Sequence, residues 1–442
     1  IFHTKKVNKE ILRLAIPNVL TNITIPLLGM VDVYLMGHLE SIHYLGGVAL
    51  GSALFNFLYW AFAFLRMSIS GLAAQSYGRV DNEEMAIVMQ RGALIAAAGS
   101  LLLITFQMPL ADLGLSILEG SPEVKDQARR YFAIRIWDAP ASIMLFVFYG
   151  WYLGMQNSVY PMVIALTVNI VNIILSFVLV RLFGMDVDGV ALGSVLAQYV
   201  GLILALILFF KKYRWIIPYF TRKLSILLTN MSNFLSVSTN IFIRTLFVIL
   251  VFTFFTSKSA GIGDITLAAN SVLLQYMLLF SYFLDGYGYA AEALIGKLFG
   301  ARNRLKLSYS VHMLLRWGLG FAIVFSAAYL ILGETLLSLF TRQTEIIETG
   351  KQYLLWVVMM PLVSFLTYIF DGVFIGIGGS VQMRRSVVIA AVFFFFLPFY
   401  ILFPYLGNHA MWLSMFLFMV VRSLYLTISY PRIIKREFPH HR

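Results

Sequence analysis

Long, almost uncharged apolar stretches follow one another from residue 11 to residue 431, each ended by a short group of glycine, proline or polar residues. The pattern predicts twelve helices, at about 11–37, 44–77, 86–111, 127–154, 158–183, 188–210, 232–256, 264–298, 307–333, 350–377, 386–405 and 409–431. Each approaches or exceeds the roughly 20 residues that cross a hydrocarbon layer. Segments of this kind must be helical, because lipid offers no partner to an unpaired backbone N–H or C=O. Gly120-Ser121-Pro122, Gly154-Met155-Gln156-Asn157, Gly261-Ile262-Gly263-Asp264 and Gly378-Gly379-Ser380 mark the breaks. The expected fold class is an all-α polytopic membrane protein, with twelve transmembrane helices in two pseudo-symmetric six-helix bundles around a central cavity.

Composition agrees with a membrane solvent. Of 442 residues, 60% are hydrophobic and 12% charged, against about 25% charged in an ordinary soluble domain. There is no cysteine, which excludes disulfides and thiolate chemistry. The net charge of +12 is no nucleic-acid signature, because the cations crowd into the connections on one side of the predicted spans. Twenty-one Lys and Arg fall on the side of the amino end and every second loop, among them Lys5, Lys6, Lys9, Arg13, Lys211, Lys212, Arg302 and Arg385; seven fall opposite. Positive charge is retained on the cytoplasmic side, so both termini are expected there. The first apolar run is long, carries Asp32 and lacks a small-residue cleavage site, so no signal peptide is expected.

The two halves echo each other at an offset of 222 residues. Tyr77-Gly78 corresponds to Phe299-Gly300, Tyr131 to Tyr353, and the glycines of GWYLG (150–154) to those of GVFIG (372–376). Six spans per half is an even number, so the halves insert in the same orientation, which favours two lobes about an axis along the membrane normal. The expected division is 1–213, a cytoplasmic linker at 214–229, and 230–442.

Asp32 stands out. It lies in the otherwise uncharged stretch 14–38, and a carboxylate at such depth costs about 2.5–3.5 kcal/mol on insertion scales, so intramembrane acids mark ion or substrate paths. Pro17 and Pro26 on the same span remove backbone hydrogen bonds and allow bending. Asn172 and Ser176, four apart, share a helix face. Asp285 and Glu292 lie two turns apart on the eighth span and, with Asp371, make a candidate acidic patch for a cationic ligand; Tyr149, Trp151, Tyr282 and Tyr287 are candidate aromatic lining. Counted with these three acids, the deep charges Arg66, Arg135, Asp138, Arg244, Arg316 and Arg422 nearly balance in sign, five cations to four anions, and also read as ion pairs between helices.

Several blocks resemble the multidrug and toxic compound extrusion (MATE) transporters, in the branch named for the DNA-damage-inducible protein F. They are IPLLGMVDVYLMGHL (25–39), YLGGVALG (44–51), FLRMSISGLAAQSYG (64–78), APASI (139–143), NIVNIIL (169–175), LDGYGYAAEALIG (284–296), YIFDGVFIG (368–376) and GNHAMWL (407–413). The resemblance implies export of bulky, often cationic drugs with H+ or Na+ moving inward, through a monomer in the bacterial inner membrane. It places the proton-coupling acid at Asp32, with polar partners at Asn172 and Ser194. Ser176 stands where many members carry a second Asp. The sodium-coupled branch has a Glu in the seventh helix, where this chain has only Arg244. The resulting expectation is a proton-driven multidrug antiporter with no cofactor, metal or nucleic-acid partner. A sodium-coupled exporter and a lipid-linked precursor flippase are the alternatives. A polytopic enzyme is disfavoured, since there is no HExxH, GxSxG or cysteine nucleophile.

Overall fold

The computed structural model describes all residues except 1, 38–41, 119 and 440–442, and, within helices, leaves out the side chains of 2–4, 25–37, 42, 43 and 45. Among the described residues the chain is helical throughout, without a strand. The first helix, α1 (Phe2–Gly37), is continuous through both of its prolines. It is followed by α2 (Ile42–Trp60), α3 (Ala63–Arg79), α4 (Asn82–Thr105), α5 (Gln107–Ile117), α6 (Pro122–Arg135), α7 (Ala139–Gly154), α8 (Val159–Arg181), α9 (Val187–Lys212) and the short α10 (Leu224–Leu228). The second half comprises α11 (Met231–Ile262), α12 (Asp264–Gly300), α13 (Arg304–Phe340), α14 (Thr344–Gly376), α15 (Ser380–Ala391), α16 (Leu397–Leu406) and α17 (Asn408–Glu437). Eleven helical stretches among the described residues are long and apolar enough to span a membrane. With α1 they match the twelve expected spans.

The ends depart from the hydropathy pattern. The fourth span begins at Pro122 rather than 127, with Ser121 capping it through a bond from the Val124 amide and Pro122 in the first turn. Lys125, Arg129 and Arg130 hide this helix from a hydropathy reading. The third span breaks at Phe106 between α4 and α5. A 3-10 turn, Ile136–Asp138, interrupts the fourth, and a π-helical turn, Val392–Phe396, lies between α15 and α16.

Two compact units result. One is Leu20–Phe234; the other is Leu235–Arg442 together with the chain up to Val19. The start of α1 joins the second unit for visible reasons: Lys306 Nζ reaches Glu10 Oε1 at 3.1 Å, Trp317 Nε1 donates to Asn8 Oδ1 at 3.2 Å, and Val19 packs on Gly286. The expected linker at 214–229 lies wholly in the other unit, strapped to α4. Gln90 exchanges two hydrogen bonds with the Thr221 backbone (2.9 and 3.1 Å), while Arg91 donates to the carbonyls of Leu227 (3.0 Å) and Thr229 (2.5 Å).

The 222-residue echo is structural. Asp81 caps α4 by accepting the Glu84 amide, and Asn303 caps α13 by accepting the Lys306 amide. The turns before them carry left-handed Val80 and Arg302 at φ 59° and 55°. Gly154 of α7 presses on the α3 backbone, where a methyl group would lie 2.8 Å from the Ser70 carbonyl oxygen and 2.9 Å from the Ala74 nitrogen. Gly376 of α14 presses on α12, with the Glu292 oxygen at 3.1 Å and the Gly296 nitrogen at 2.8 Å. Ser70 and Ala74 become Glu292 and Gly296 on adding 222, so the same helix crossing is built twice. Each unit has its own core: Trp151, Tyr131 and Phe55 are fully buried in the first, and Trp412, Phe255 and Phe395 in the second.

Candidate functional site

In the unit 20–234, α8 and α9 lie close because Gly193 of α9 has no side chain to hold them apart; a methyl group there would meet Ser176 Oγ at 2.8 Å. Across this contact Asn172 Nδ2 donates to Ser194 Oγ at 2.8 Å, and Ser194 Oγ donates on to the Val190 carbonyl at 3.0 Å. Three predicted residues, Asn172, Ser176 and Ser194, are thus neighbours, all buried. The other oxygen of the pair, Asn172 Oδ1, and Ser176 Oγ have no hydrogen-bond partner among the described residues. Leaving a buried polar atom unpaired costs about 1–3 kcal/mol. Such atoms, one turn apart on one helix face, define a place for a polar partner: Asn172 Oδ1 calls for a donor, and the Ser176 hydroxyl can donate or accept.

The same face of α8 carries Asn169, which the sequence reading did not single out. Its Nδ2 reaches Thr24 Oγ1 of α1 at 3.3 Å, and Thr24 in turn donates to the Thr21 carbonyl at 2.7 Å. The spacing Asn-x-x-Asn at 169 and 172 is a signal that could have exposed it. The side chains of Asp32 and Pro26 lie outside the described residues. Pro17 is buried on the other half of α1.

A second polar cluster sits at the 3-10 turn. Asp138, fully buried, accepts from Arg135 Nε at 2.7 Å, from Ser142 Oγ at 3.2 Å and from the Tyr59 hydroxyl. Tyr199 donates to the Trp137 carbonyl beside it at 2.8 Å. All the partners lie in one unit, so this is an ion pair that holds a helix break in place.

In the other unit Asp371 is clamped. Its Oδ2 takes Arg244 and, at 3.0 Å, Arg422 Nη2. With two guanidiniums on one carboxylate, Asp371 is no open acid for a cation, which departs from the acidic patch expected with Asp285 and Glu292. Asp285 accepts from Ser281 at 3.2 Å, and Glu292 is buried on α12. The aromatic candidates also divide. Trp151 is fully enclosed, spends its N–H on the Met85 carbonyl at 2.9 Å and meets Tyr152, Phe209 and Tyr213 edge-on or tilted, which places it in the core rather than in a binding pocket. Tyr149 is half-buried against that core. Tyr287 joins Phe283, Trp317 and Phe321 in an aromatic row between α12 and α13. Tyr282 is half-buried one residue before Phe283.

A tandem repeat of membrane-spanning helices, with buried polar sites inside its units, defines a polytopic membrane protein. Comparison with known proteins agrees and is more specific. The MatE family model matches twice, over residues 17–178 and 240–403, two stretches that start 223 residues apart. The chain is 37% identical to DNA damage-inducible protein F of Escherichia coli (strain K12), over 96% of this chain and 92% of that protein. It is 23% identical to human multidrug and toxin extrusion protein 1, over 87% of this chain and 66% of that one. The structure of the Vibrio cholerae MATE transporter VcmN in its bent form superposes with a TM-score of 0.87 over the whole of both chains at 16% identity. The chain belongs to the MatE family of multidrug and toxin extrusion transporters; it is a multi-pass membrane transporter and not an enzyme.

Proposed function

We propose that this protein exports bulky hydrophobic or cationic compounds across the bacterial inner membrane, with both termini cytoplasmic, as a monomer driven by inward movement of protons through Asp32. The supporting observation is the pair of oxygens, Asn172 Oδ1 and Ser176 Oγ, that have no partner among the described residues. An amide oxygen can only accept. It welcomes the O–H of a protonated carboxyl and repels a carboxylate, so Asn172 distinguishes the two protonation states of an acid, while the Ser176 hydroxyl can bond to either. Counting residues along the two helices supports Asp32 as that acid. Asp32 lies eight residues beyond Thr24 on α1, about 12 Å, and Ser176 lies seven beyond Asn169 on α8, about 10.5 Å; the first and fifth spans leave the same side of the membrane, and Thr24 and Asn169 are bonded.

In this scheme the unprotonated site holds substrate. Protonation from outside gives Asp32 a donor for Asn172, draws α1 toward α8 near Pro26 and removes the preference for substrate. Release of the proton inward resets the cycle, with the coupling carried by the differential affinity of proton and substrate for the two states. A potential of 100 mV supplies about 2.3 kcal/mol per charge, roughly fiftyfold in concentration. The Arg244–Asp371–Arg422 clamp argues against a sodium ion at Asp371, since two fixed cations already occupy its carboxylate. The test is dye export in proteoliposomes under an imposed pH gradient or an imposed sodium gradient. Wild type is expected to respond to pH and Asp32→Asn to neither; uphill export by Asp32→Asn overturns the scheme.

A further inference from the structure

The connection between α9 and α11 has an apolar outward side. Its 3-10 turn, Arg214–Tyr219, and the short α10 are strapped to α4 through Thr221, Leu227 and Thr229. Tyr213 and Ile216 turn inward and are buried. By contrast α10, Leu-Ser-Ile-Leu-Leu, buries none of its residues. Leu224 is 56% exposed and Leu228 52%, and Trp215 of the 3-10 turn is 46% exposed. Large apolar side chains left outward together mark a surface of interaction.

The hydrogen bonds of the strap fix its level. They end on Gln90 and Arg91, and Arg91 is the last charged residue of α4 before a run without charge that lasts until Asp112. On the other side, α9 leaves its own uncharged run, 189–210, at Lys211 and Lys212, directly before the strap. Both helices thus put the strap where a span passes from hydrocarbon to headgroups. Lys211, Lys212, Arg222 and Lys223 are exposed along it, and no acid occurs between Asp188 and Asp264, so the strap itself sets no like charge against a phosphate.

We propose that the strap is a membrane-surface anchor: Trp215, Leu224 and Leu228 insert into the boundary between headgroups and acyl chains of the adjoining leaflet. Segments that lie in this layer bury their apolar side about 5–10 Å deep, and tryptophan is enriched there. The flanking Lys and Arg lay their stems along hydrocarbon and turn their charges to the phosphates. The level set by α4 and α9 favours lipid over a soluble partner, which would meet the strap only above the headgroups. The inference rests on the chain spanning the membrane and is independent of which ion drives transport.

The experiment is power-saturation electron paramagnetic resonance on the full-length protein in vesicles of phosphatidylglycerol and phosphatidylcholine. The chain has no cysteine, so Leu224→Cys, Leu228→Cys and Glu83→Cys each carry a single spin label. Glu83, exposed in the first turn of α4, lies seven residues before Gln90, about 10 Å toward solution, and serves as the aqueous reference. Labels at 224 and 228 are expected to shift toward collision with oxygen, which concentrates in acyl chains, and away from nickel ethylenediaminediacetate, which stays in water. The label at 83 is expected to show the reverse order. An unchanged melting temperature in detergent confirms that the labelled variants are folded. Two results overturn the proposal. Nickel access at 224 and 228 equal to that at 83 puts the strap in water, and shielding from both reagents puts a protein surface, such as a second copy, over it. Depth is read without transport, so failure here leaves the proton-coupling scheme standing, and the reverse also holds.

Discussion

Gly376→Ala tests the repeated helix crossing. A methyl group at this position lies 2.8 Å from the Gly296 nitrogen and 3.1 Å from the Glu292 carbonyl oxygen, both backbone atoms that cannot rotate away. Ordinary contact distances of about 3.5 Å require α14 and α12 to part by about 0.7 Å. Such a gap forfeits a quarter to a half of the dispersion energy of each neighbouring contact, and overpacking of this kind costs about 1–3 kcal/mol. Replacing glycine by alanine in a helix returns about 0.5–1 kcal/mol, so the net loss is about 1–2 kcal/mol. Gly320→Ala supplies the control: that glycine lies in α13 with nothing within 4 Å of the added methyl group, so only the helical gain remains. Because the helical gain is common to both, the two variants should differ by the overpacking cost, about 1–3 kcal/mol. The assay is thermal unfolding in detergent followed by tryptophan fluorescence, with dye export measured in parallel. Gly154→Ala, its counterpart in the other unit with neighbours at 2.6, 2.8 and 2.9 Å, should behave as Gly376→Ala does. If Gly376→Ala melts no lower than Gly320→Ala, the crossing is not the rigid joint described here.

Three further predictions follow from particular contacts. Arg135→Ala leaves the fully buried Asp138 without its cation and should cost about 3–5 kcal/mol, while Arg135→Met with Asp138→Leu recovers most of it; a double-mutant thermal melt decides. Gln90→Ala/Arg91→Ala frees the strapped connection, so trypsin should cut at Arg222 or Lys223 many times faster than in wild type, visible as two fragments on a gel. Asn172→Leu removes one hydrogen bond, while Ser194 keeps its bond to Val190 at 3.0 Å, so stability should fall by only about 1 kcal/mol while pH-driven export drops at least tenfold. Export at the wild-type rate in that variant removes Asn172 from the coupling path.

Span number, the halves and their common offset were legible along the chain because they depend on local quantities: the length of apolar runs and the recurrence of glycines. Helix ends were not, as α6 shows, since a capped, cation-bearing turn outside the hydrocarbon is helical for reasons that hydropathy does not measure. Asn172, Ser176 and Ser194 were found from residue type and resemblance, and they are neighbours. Asn169 was passed over because its partner, Thr24, is 145 residues away.

Charge pairing was the least accessible to sequence. Asp371 reads as a deep acid on an apolar helix, yet Arg244 and Arg422, from two other helices, close on it; Trp151 reads as candidate aromatic lining and is a core residue. Periodicity alone determined that this chain crosses a membrane many times in two similar halves, because each span satisfies its backbone within itself. The tertiary structure alone decided which buried polar groups are paired and which, like Asn172 Oδ1 and Ser176 Oγ, have no partner among the described residues, because pairing depends on atoms that residues far apart in the chain bring within 3 Å or so of one another.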